Sequence, residues 1–157
     1  MIFYLVIIVS ASRKDVTNMT EKGLHIDRLK RTPMVHFDDG KMIILGRSII
    51  ENPSEFYTPV FNWLLSDLSE NDRGAEFYFA FEHINTGSVK WLFVLLKDLF
   101  LDSYIKNSSS ITWIFDEEDD DMQELGYVFK ELVSCKFMLI PVGSIDEEIV
   151  EKIINGQ

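Results

Sequence analysis

The stretch that decides the fold is "AEFYFAFEHINTGSVKWLF", residues 75–93. Its first half is almost continuously apolar, which predicts a central strand that is covered on both faces. Its second half places apolar residues at helical spacing, so a helix is predicted over residues 88–101. Between the two lie four small polar residues, Asn85, Thr86, Gly87 and Ser88. A strand that runs through a polar cap into a helix is the repeating unit of α/β folds.

Strands and helices alternate outward from this stretch. Strands are predicted at residues 34–37, 41–45, 76–84, 110–115 and 137–142. The pair Asp39 and Gly40 predicts a tight hairpin between the first two, because both residues tolerate positive φ angles. The remaining strands are separated by helical patterns, which indicates crossover connections. The fold class predicted is therefore a single α/β domain, with a mixed sheet of about five strands and packed helices.

The helix boundaries are predicted from capping residues. Thr58 as N-cap and Pro59 at the first helical position start the first helix. A later amphipathic helix follows from four apolar residues on one face, Met122, Leu125, Phe129 and Leu132. Ser144 and Glu147 have the spacing of a capping box, which predicts a short closing helix.

Composition narrows the classes of partner. The chain has 157 residues with 26 acidic against 15 basic side chains, a formal net charge of −11. That charge opposes binding to nucleic acid or to an anionic membrane, and favours a protein partner or a cationic ligand. The single cysteine, Cys135, excludes an internal disulfide, is interpreted as a small buried residue, and indicates a reducing, cytoplasmic location. The expected assembly is a monomer or a weak dimer.

The N-terminus does not fit the pattern of the rest. Ile2 and Val9 bound eight consecutive apolar residues, too few for a membrane-spanning helix. No basic region precedes them, so a signal peptide is the weaker interpretation. An added strand or a true start at Met19 remain, and the second is favoured. The domain organisation is thus an extension at residues 1–18 and a single folded domain at residues 19–157.

No group of residues predicts an enzyme. His25, His36 and His83 are scattered along the chain without the spacing of a metal site or a catalytic triad. Asp116 and Asp121 bound a run of six acids, which the dipole of a following helix already favours. No catalytic residue, metal or cofactor is therefore predicted. A small metal-dependent enzyme that uses this acidic run with His83 stays an alternative, and a purely structural dimer module is another.

The cap at residues 85–88 has a second interpretation as a regulatory site. Asn85 or Thr86 would cap the helix, but the helix is apolar all round, so one side must meet something other than the sheet. An exposed patch is expected at Trp91, Val94 and Leu95. A phosphate at this helix start would be held by free backbone amides and would add about −1.5 to −2 charge units.

Four blocks together resemble the SiaC family of regulatory phosphoproteins, whose fold is similar to the STAS domains of anti-sigma-factor antagonists. They are "LGRSIIEN", "FYTPVFNWL", "HINTGSVK" and "ITWIFDEEDDDMQELGYVFKEL", in this order over about residues 30 to 142. The most specific block is the one that contains Asn85, Thr86, Gly87, Ser88 and Lys90, supported upstream by Glu51 and Asn52.

The resemblance implies a partner-switching protein without enzymatic activity. It implies phosphorylation of Thr86, with Ser88 as second choice, by a serine/threonine kinase, and dephosphorylation by a metal-dependent phosphatase. The unphosphorylated form would bind and regulate a diguanylate cyclase, which belongs to cyclic di-GMP signalling and biofilm regulation. A STAS-type anti-sigma-factor antagonist is the nearest alternative. Nine residues are expected to contact a partner: Glu51, Asn52, Asn85, Gly87, Ser88, Lys90, Trp91, Val94 and Leu95.

Overall fold

The computed structural model describes residues 17–19 and 23–157, with side chains from residue 23 onward. The elements in chain order are β1 Thr17–Met19, β2 Gly23–Ile26, β3 Met34–Asp38, β4 Lys41–Ser48, α1 Pro53–Glu70, β5 Glu76–Ile84, α2 Thr86–Leu99, α3 Ser103–Asn107, β6 Ser110–Asp116, α4 Asp120–Val133, β7 Lys136–Val142 and α5 Glu147–Ile154. The apolar segment at residues 2–9 lies outside the described residues. The domain boundary proposed after residue 18 falls within β1.

The strands form one mixed sheet in which each strand pairs with its neighbours in the chain. The order is β1-β2-β3-β4-β5-β6-β7. The first four strands pair antiparallel, and β4 to β7 pair parallel. Asp39 and Gly40 both have positive φ, 45° and 79°, so the predicted hairpin between β3 and β4 is confirmed. The α/β class with a mixed sheet is confirmed, and the described residues form seven strands instead of about five.

The two faces of the sheet are covered differently. Helices α1, α2 and α4 pack on one face, over a core rich in aromatic side chains such as Phe77, Phe79 and Trp113. On the other face, α5 places Val150 against Leu45, Ala80 and Ile114. Three helices on one face follow from three successive right-handed crossovers between adjacent parallel strands.

Two elements at the start of the chain were missed. β2 has only four residues, GLHI, which is too short for its alternation of apolar and polar side chains to predict a strand. Its alternating burial shows that Leu24 and Ile26 face the core while His25 faces away. β1 extends the same edge by three residue pairs. The short helix α3, capped by Asp102, was also not predicted.

Three predicted boundaries of the helices are wrong. Helix α1 begins at Pro53 with Asn52 as N-cap, so Thr58 and Pro59 lie inside it. The earlier proline supplies the helical φ angle first, and the chain turns there because β4 has just ended. Helix α2 covers residues 86–99 instead of 88–101, since Asn85 takes the cap position.

The closing helix begins later than predicted. Asp146 is the N-cap of α5 and accepts a hydrogen bond from the N–H of Ile149, so the capping box of Ser144 and Glu147 is not formed. Strand β7, Lys136–Val142, agrees with the predicted strand at residues 137–142. It includes Pro141, which an edge strand tolerates because no further strand needs a backbone N–H there.

Two apolar residues lie on the opposite side from their predicted one. Leu95 of α2 is only 9% exposed and belongs to the core, so it is not part of an exposed patch. Leu132 of α4, predicted on the buried face, is 53% exposed. The side chains that pack on the sheet fix the rotation of each helix about its axis. That rotation determines why Leu95 is buried and Leu132 is exposed. In the part of the chain that the structure describes, no helix has the length and apolarity needed to cross a membrane.

Candidate functional site

The candidate site lies at the carboxyl ends of β4 and β5, where α2 begins. The N–H of Asn85 donates to the carbonyl of Ser48 at 2.9 Å, which ties the end of β5 to the end of β4. The side-chain Oδ1 of Asn85 accepts from the N–H of Ser88 at 2.9 Å. Asn85 is thus the N-cap of α2 and is one of the two residues predicted for that position. Its side chain satisfies one of the free amides of the first turn.

The two hydroxyl candidates have opposite environments. Thr86 is the first residue of α2 and is exposed. Ser88, two residues later, is fully buried, and its hydroxyl oxygen has no hydrogen-bond partner among the described residues. An enzyme that modifies a folded surface can reach the Thr86 hydroxyl, whereas the Ser88 hydroxyl would first have to leave the interior.

A connecting loop, residues 49–52, is held beside the start of α2. The amide Nδ2 of Asn85 donates to the carbonyl of Ile50 at 3.0 Å. From the other side, Nε of Arg31 donates to the carbonyl of Ile49 at 3.1 Å, and its Nη1 lies 3.4 Å from Glu51 Oε1. This anchoring by Arg31 was missed, because the residue lies far from the loop in sequence and belongs to no motif.

The N-termini of two long helices meet at this loop. A Cβ atom built on Gly87 would lie 3.4 Å from Cγ of Pro53, the first residue of α1. Each helix start carries a partial positive charge from its unpaired amides. Their proximity makes the surface around Thr86 favourable for an added anion.

A buried hydrogen bond supports the site from beneath. Oγ of Ser48 and Oη of Tyr57 lie 2.6 Å apart and are both inaccessible to solvent. Burial raises the pKa of Tyr57 well above its ordinary value, although the Ser48 hydroxyl partly opposes this. The phenol therefore stays neutral, and the pair joins the end of β4 to the second turn of α1.

Most of the predicted partner-contacting residues come together at one end of the sheet. Exposed Glu51 and Asn52 lie in the loop, and Asn85, Gly87 and the exposed Lys90 lie in or next to the first turn of α2. Farther along the same helix, Trp91 is half-buried and Val94 is 36% exposed. Ser88 and Leu95 are buried and do not contribute to this surface.

The acidic run has a structural role at the start of α4. Oδ1 of Asp119 accepts from the N–H of Met122 at 2.9 Å as N-cap, and Oδ1 of Asp116 accepts from the N–H of Glu118 at 3.0 Å. Five of its six residues, all but Glu117, line an open cavity of about 650 Å³ together with Phe81, Glu82 and Ile145. Among the described residues no group of three or more His, Cys, Asp or Glu is arranged to hold a metal ion.

Two of the three histidines are neighbours, which their separation in sequence did not indicate. His25 and His36 face each other across β2 and β3, with their Nδ1 atoms 3.2 Å apart. Nε2 of His25 is also 2.9 Å from Oδ1 of Asp27. His83 is exposed near the end of β5 and does not line the cavity of the acidic run, so the alternative site that combined the two gains no support.

Proteins of Pseudomonas aeruginosa are similar to this chain in sequence and in fold. The chain is 28% identical over 119 residues to an uncharacterized protein of Pseudomonas aeruginosa strain UCBPP-PA14, a match that covers 74% of this chain and 94% of that protein. It is similar to SiaC of Pseudomonas aeruginosa in the crystal structure with the diguanylate cyclase SiaD that SiaC activates (TM-score 0.67, 25% identity, 76% of this chain and 99% of that chain). Apo-SiaC of the same organism gives a TM-score of 0.65 at 26% identity, with 76% and 98% covered.

The family model for SiaC family regulatory phosphoproteins matches residues 26–142, most of the chain. The matched region begins at the end of β2 and ends at the end of β7, so it includes the whole site around Thr86. The chain therefore belongs to the SiaC family, and it is a regulatory phosphoprotein rather than an enzyme.

Proposed function

We propose that this chain is a partner-switching protein of the cytoplasm that is controlled at Thr86. A serine/threonine kinase transfers a phosphoryl group to Oγ1 of Thr86, and a metal-dependent phosphatase removes it by hydrolysis. The unphosphorylated form binds and regulates a partner such as a diguanylate cyclase, and it thereby acts in cyclic di-GMP signalling and biofilm regulation. Support for a cyclase comes from the similar SiaC, whose structure with SiaD presents it as the activator of that enzyme.

The exposure of Thr86 at the first position of α2 carries this proposal. The neighbouring hydroxyl of Ser88 is buried, so the geometry favours Thr86 over the second choice. A phosphate on Thr86 would be next to the unpaired amides of the first turn and near the start of α1. The protein surface can therefore accommodate the modified state without unfolding.

The effect on a partner follows from charge and desolvation. Before modification, a partner can contact the loop at Glu51 and Asn52, the first turn at Asn85, Gly87 and Lys90, and the apolar side chains of Trp91 and Val94. Phosphorylation adds about −1.5 to −2 charge units to the centre of that surface. Burying this charge in an interface without a cationic partner group is costly, so binding is weakened.

The test compares four purified proteins, namely wild type, Thr86→Ala, Thr86→Glu and a control, Ser69→Glu, at an exposed residue of α1. Each protein is incubated with the kinase and the phosphatase of the organism that encodes this chain, and mass spectrometry then locates the phosphate. Affinity for the diguanylate cyclase of that organism and its rate of cyclic di-GMP synthesis are measured in parallel. We expect Thr86→Glu to lose at least about tenfold in affinity, equivalent to 1.4 kcal/mol, while Ser69→Glu binds as wild type. Phosphate on another residue while Thr86 stays unmodified would overturn the assignment.

A further inference from the structure

A group of basic side chains lies at the carboxyl edge of the sheet, close to the Thr86 site. Arg28, Lys30 and Arg31 occur within four residues of the loop between β2 and β3, and Arg47 lies at the end of β4. Together with Leu29 we call these residues the basic surface. Such a concentration is unusual in a chain of net charge −11, because the other basic residues are dispersed among acids.

The basic surface is built in a defined geometry. The N–H of Leu29 donates to the carbonyl of Thr32 at 3.0 Å, and the N–H of Ile49 donates to the carbonyl of Arg31 at 2.9 Å. Gly46 has a φ of +112°, and a Cβ atom there would lie 3.0 Å from Nε of Arg28. The bulge in β4 at Gly46 and Arg47 thus leaves room for the Arg28 side chain to lie across the strand.

The internal ion pairs do not neutralise the basic surface. The carboxylate of Glu82 serves two guanidinium groups, since Arg28 donates to one oxygen and Arg47 lies 3.2 Å from the other. One negative charge therefore faces two positive ones, and the third arginine, Arg31, pairs with Glu51 at 3.4 Å between two exposed side chains. Lys30 is exposed and forms no ion pair with any other described residue. Positive charge is left over for a ligand.

The basic surface is also concave and partly apolar. Arg28, Leu29, Lys30 and Arg47 line an open cavity of about 500 Å³. Leu29 is 37% exposed among these cations. A ligand that complements this arrangement carries several negative charges around an apolar group. A bare inorganic anion would leave Leu29 uncovered.

We infer that the basic surface is a docking site for a short acidic segment of a partner protein, with an apolar residue of that segment placed on Leu29. A protein segment is favoured over nucleic acid or an anionic membrane by the charge of the whole molecule. Charges are screened over about 8 Å at physiological salt, so a short segment experiences mainly the local cations. A long polyanion or a membrane would also meet the acidic run at residues 116–121 and be repelled by it. The run lies nearby, because Glu82, which pairs with Arg28 and Arg47, also lines the cavity of the acidic run.

The basic surface adjoins the Thr86 site through two hydrogen bonds. Arg31 holds the carbonyl of Ile49, and Asn85, the residue before Thr86, holds the next carbonyl, that of Ile50. An acidic partner segment on the basic surface would therefore be repelled by a phosphate on Thr86. This coupling rests on the proposed function, whereas the docking site itself does not.

The experiment measures fluorescence anisotropy of a short labelled peptide of Glu and Asp residues around one Leu. Wild type is compared with Lys30→Glu and Leu29→Ser. Matched controls are Lys130→Glu, at an exposed residue of α4, and Leu101→Ser. Leu101 is 79% exposed and far in sequence from the loop between β2 and β3. Further probes are the same peptide with Leu replaced by Ser, a single-stranded oligothymidylate, and phosphatidylserine vesicles. Circular dichroism checks that every variant is folded.

We expect Lys30→Glu to weaken binding of the acidic peptide at least about fivefold, because a rim cation is replaced by a like charge, while Lys130→Glu changes it less than about twofold. Leu29→Ser and the Leu-free peptide should each lose affinity, and Leu101→Ser should not. Failure of wild type to bind the peptide, equal losses in the controls, or equally strong binding of oligothymidylate or vesicles would overturn the docking site. Thr86→Glu is measured with the same peptide, and unchanged binding by it would refute the coupling alone. The cyclase assay judges the proposed function separately.

Discussion

At the scale of single residues, Asn85 does more than any other side chain to shape the site. Its Oδ1 caps α2 through the N–H of Ser88, and its Nδ2 holds the carbonyl of Ile50. An aspartate could accept the first hydrogen bond but could not donate the second, because its carboxylate has no N–H. Serine and threonine are good caps but carry a single hydroxyl. Both hydrogen bonds of the side-chain amide are thus needed, and of the two only the cap can be predicted from the sequence.

Replacing Asn85 tests this double role. Asn85→Ala should lower the free energy of unfolding by about 1–3 kcal/mol, since it removes the cap and leaves the Ile50 carbonyl without its donor. Asn85→Asp should cost less, because the cap remains. Asn62→Ala on the exposed side of α1 serves as the control, with a change expected within about 0.5 kcal/mol. Urea denaturation measures all three, and an Asn85→Ala protein as stable as the control would contradict the role.

At the scale of elements, the position of α4 depends on a glycine. A Cβ atom on Gly126 would lie 2.7 Å from Cδ1 of Trp113 and 2.9 Å from Cδ2 of Leu139. The helix therefore lies close enough to the sheet for the indole Nε1 of Trp113 to donate to the carbonyl of Met122 at 3.1 Å. The ring of Trp113 stacks on Phe129 with centroids 5.2 Å apart. A helical pattern predicts α4, and the contact at Gly126 shows which side of the helix faces the sheet.

Gly126→Ala should therefore destabilise the protein despite the higher helix propensity of alanine. Overpacking against Trp113 is expected to cost about 1–3 kcal/mol, more than the roughly 1 kcal/mol that alanine gains over glycine in a helix. The control is Gly143→Ala, because a Cβ atom at Gly143 has no neighbour within 4 Å. Thermal unfolding followed by near-ultraviolet circular dichroism, which reports on Trp113, measures the effect. A stabilised Gly126→Ala protein would show that α4 can move away from the sheet at no cost.

At the scale of the whole molecule, the two ends of the chain differ in what they bury. At the N-terminal end, β1 adds three residue pairs to the edge of the sheet. At the C-terminal end, α5 follows the region that matches the family model and covers the second face with Val150, which is 2% exposed. Beneath it, Leu45, Ala80 and Ile114 are fully buried. On the second face, the core therefore consists of strand residues inside the matched region and a helix that lies outside it.

Two truncations should therefore have unequal effects. Removing residues 1–18 is predicted to leave a folded domain with nearly unchanged melting behaviour. Removing residues 143–157 should uncover the apolar second face, lower the melting temperature and increase binding of a hydrophobic dye. Differential scanning fluorimetry and size-exclusion chromatography measure both. Loss of folded protein in the first truncation would place residues 1–18 in the core, and an unchanged second truncation would show that α5 contributes little.

The sequence by itself determined the α/β class, the parallel part of the sheet, the hairpin at Asp39 and Gly40, and the polar block at the start of α2. These follow from local periodicity and turn chemistry, which act over a few residues. The sequence also limited the cap of α2 to Asn85 or Thr86, and a resemblance to a family favoured Thr86 as the hydroxyl to modify.

Only the tertiary structure decided which side of each helix meets the sheet and which distant residues share an edge. It buried Ser88 and Leu95, exposed Leu132, and started α1 at Pro53 instead of Pro59. It also brought Arg31 to the loop before α1 and Arg28 to Glu82, pairs that are widely separated along the chain. Such contacts depend on the order and register of the strands. Between β2 and β3, and between β4 and β5, no tight turn fixes that register, so it is set by which side chains the whole sheet buries.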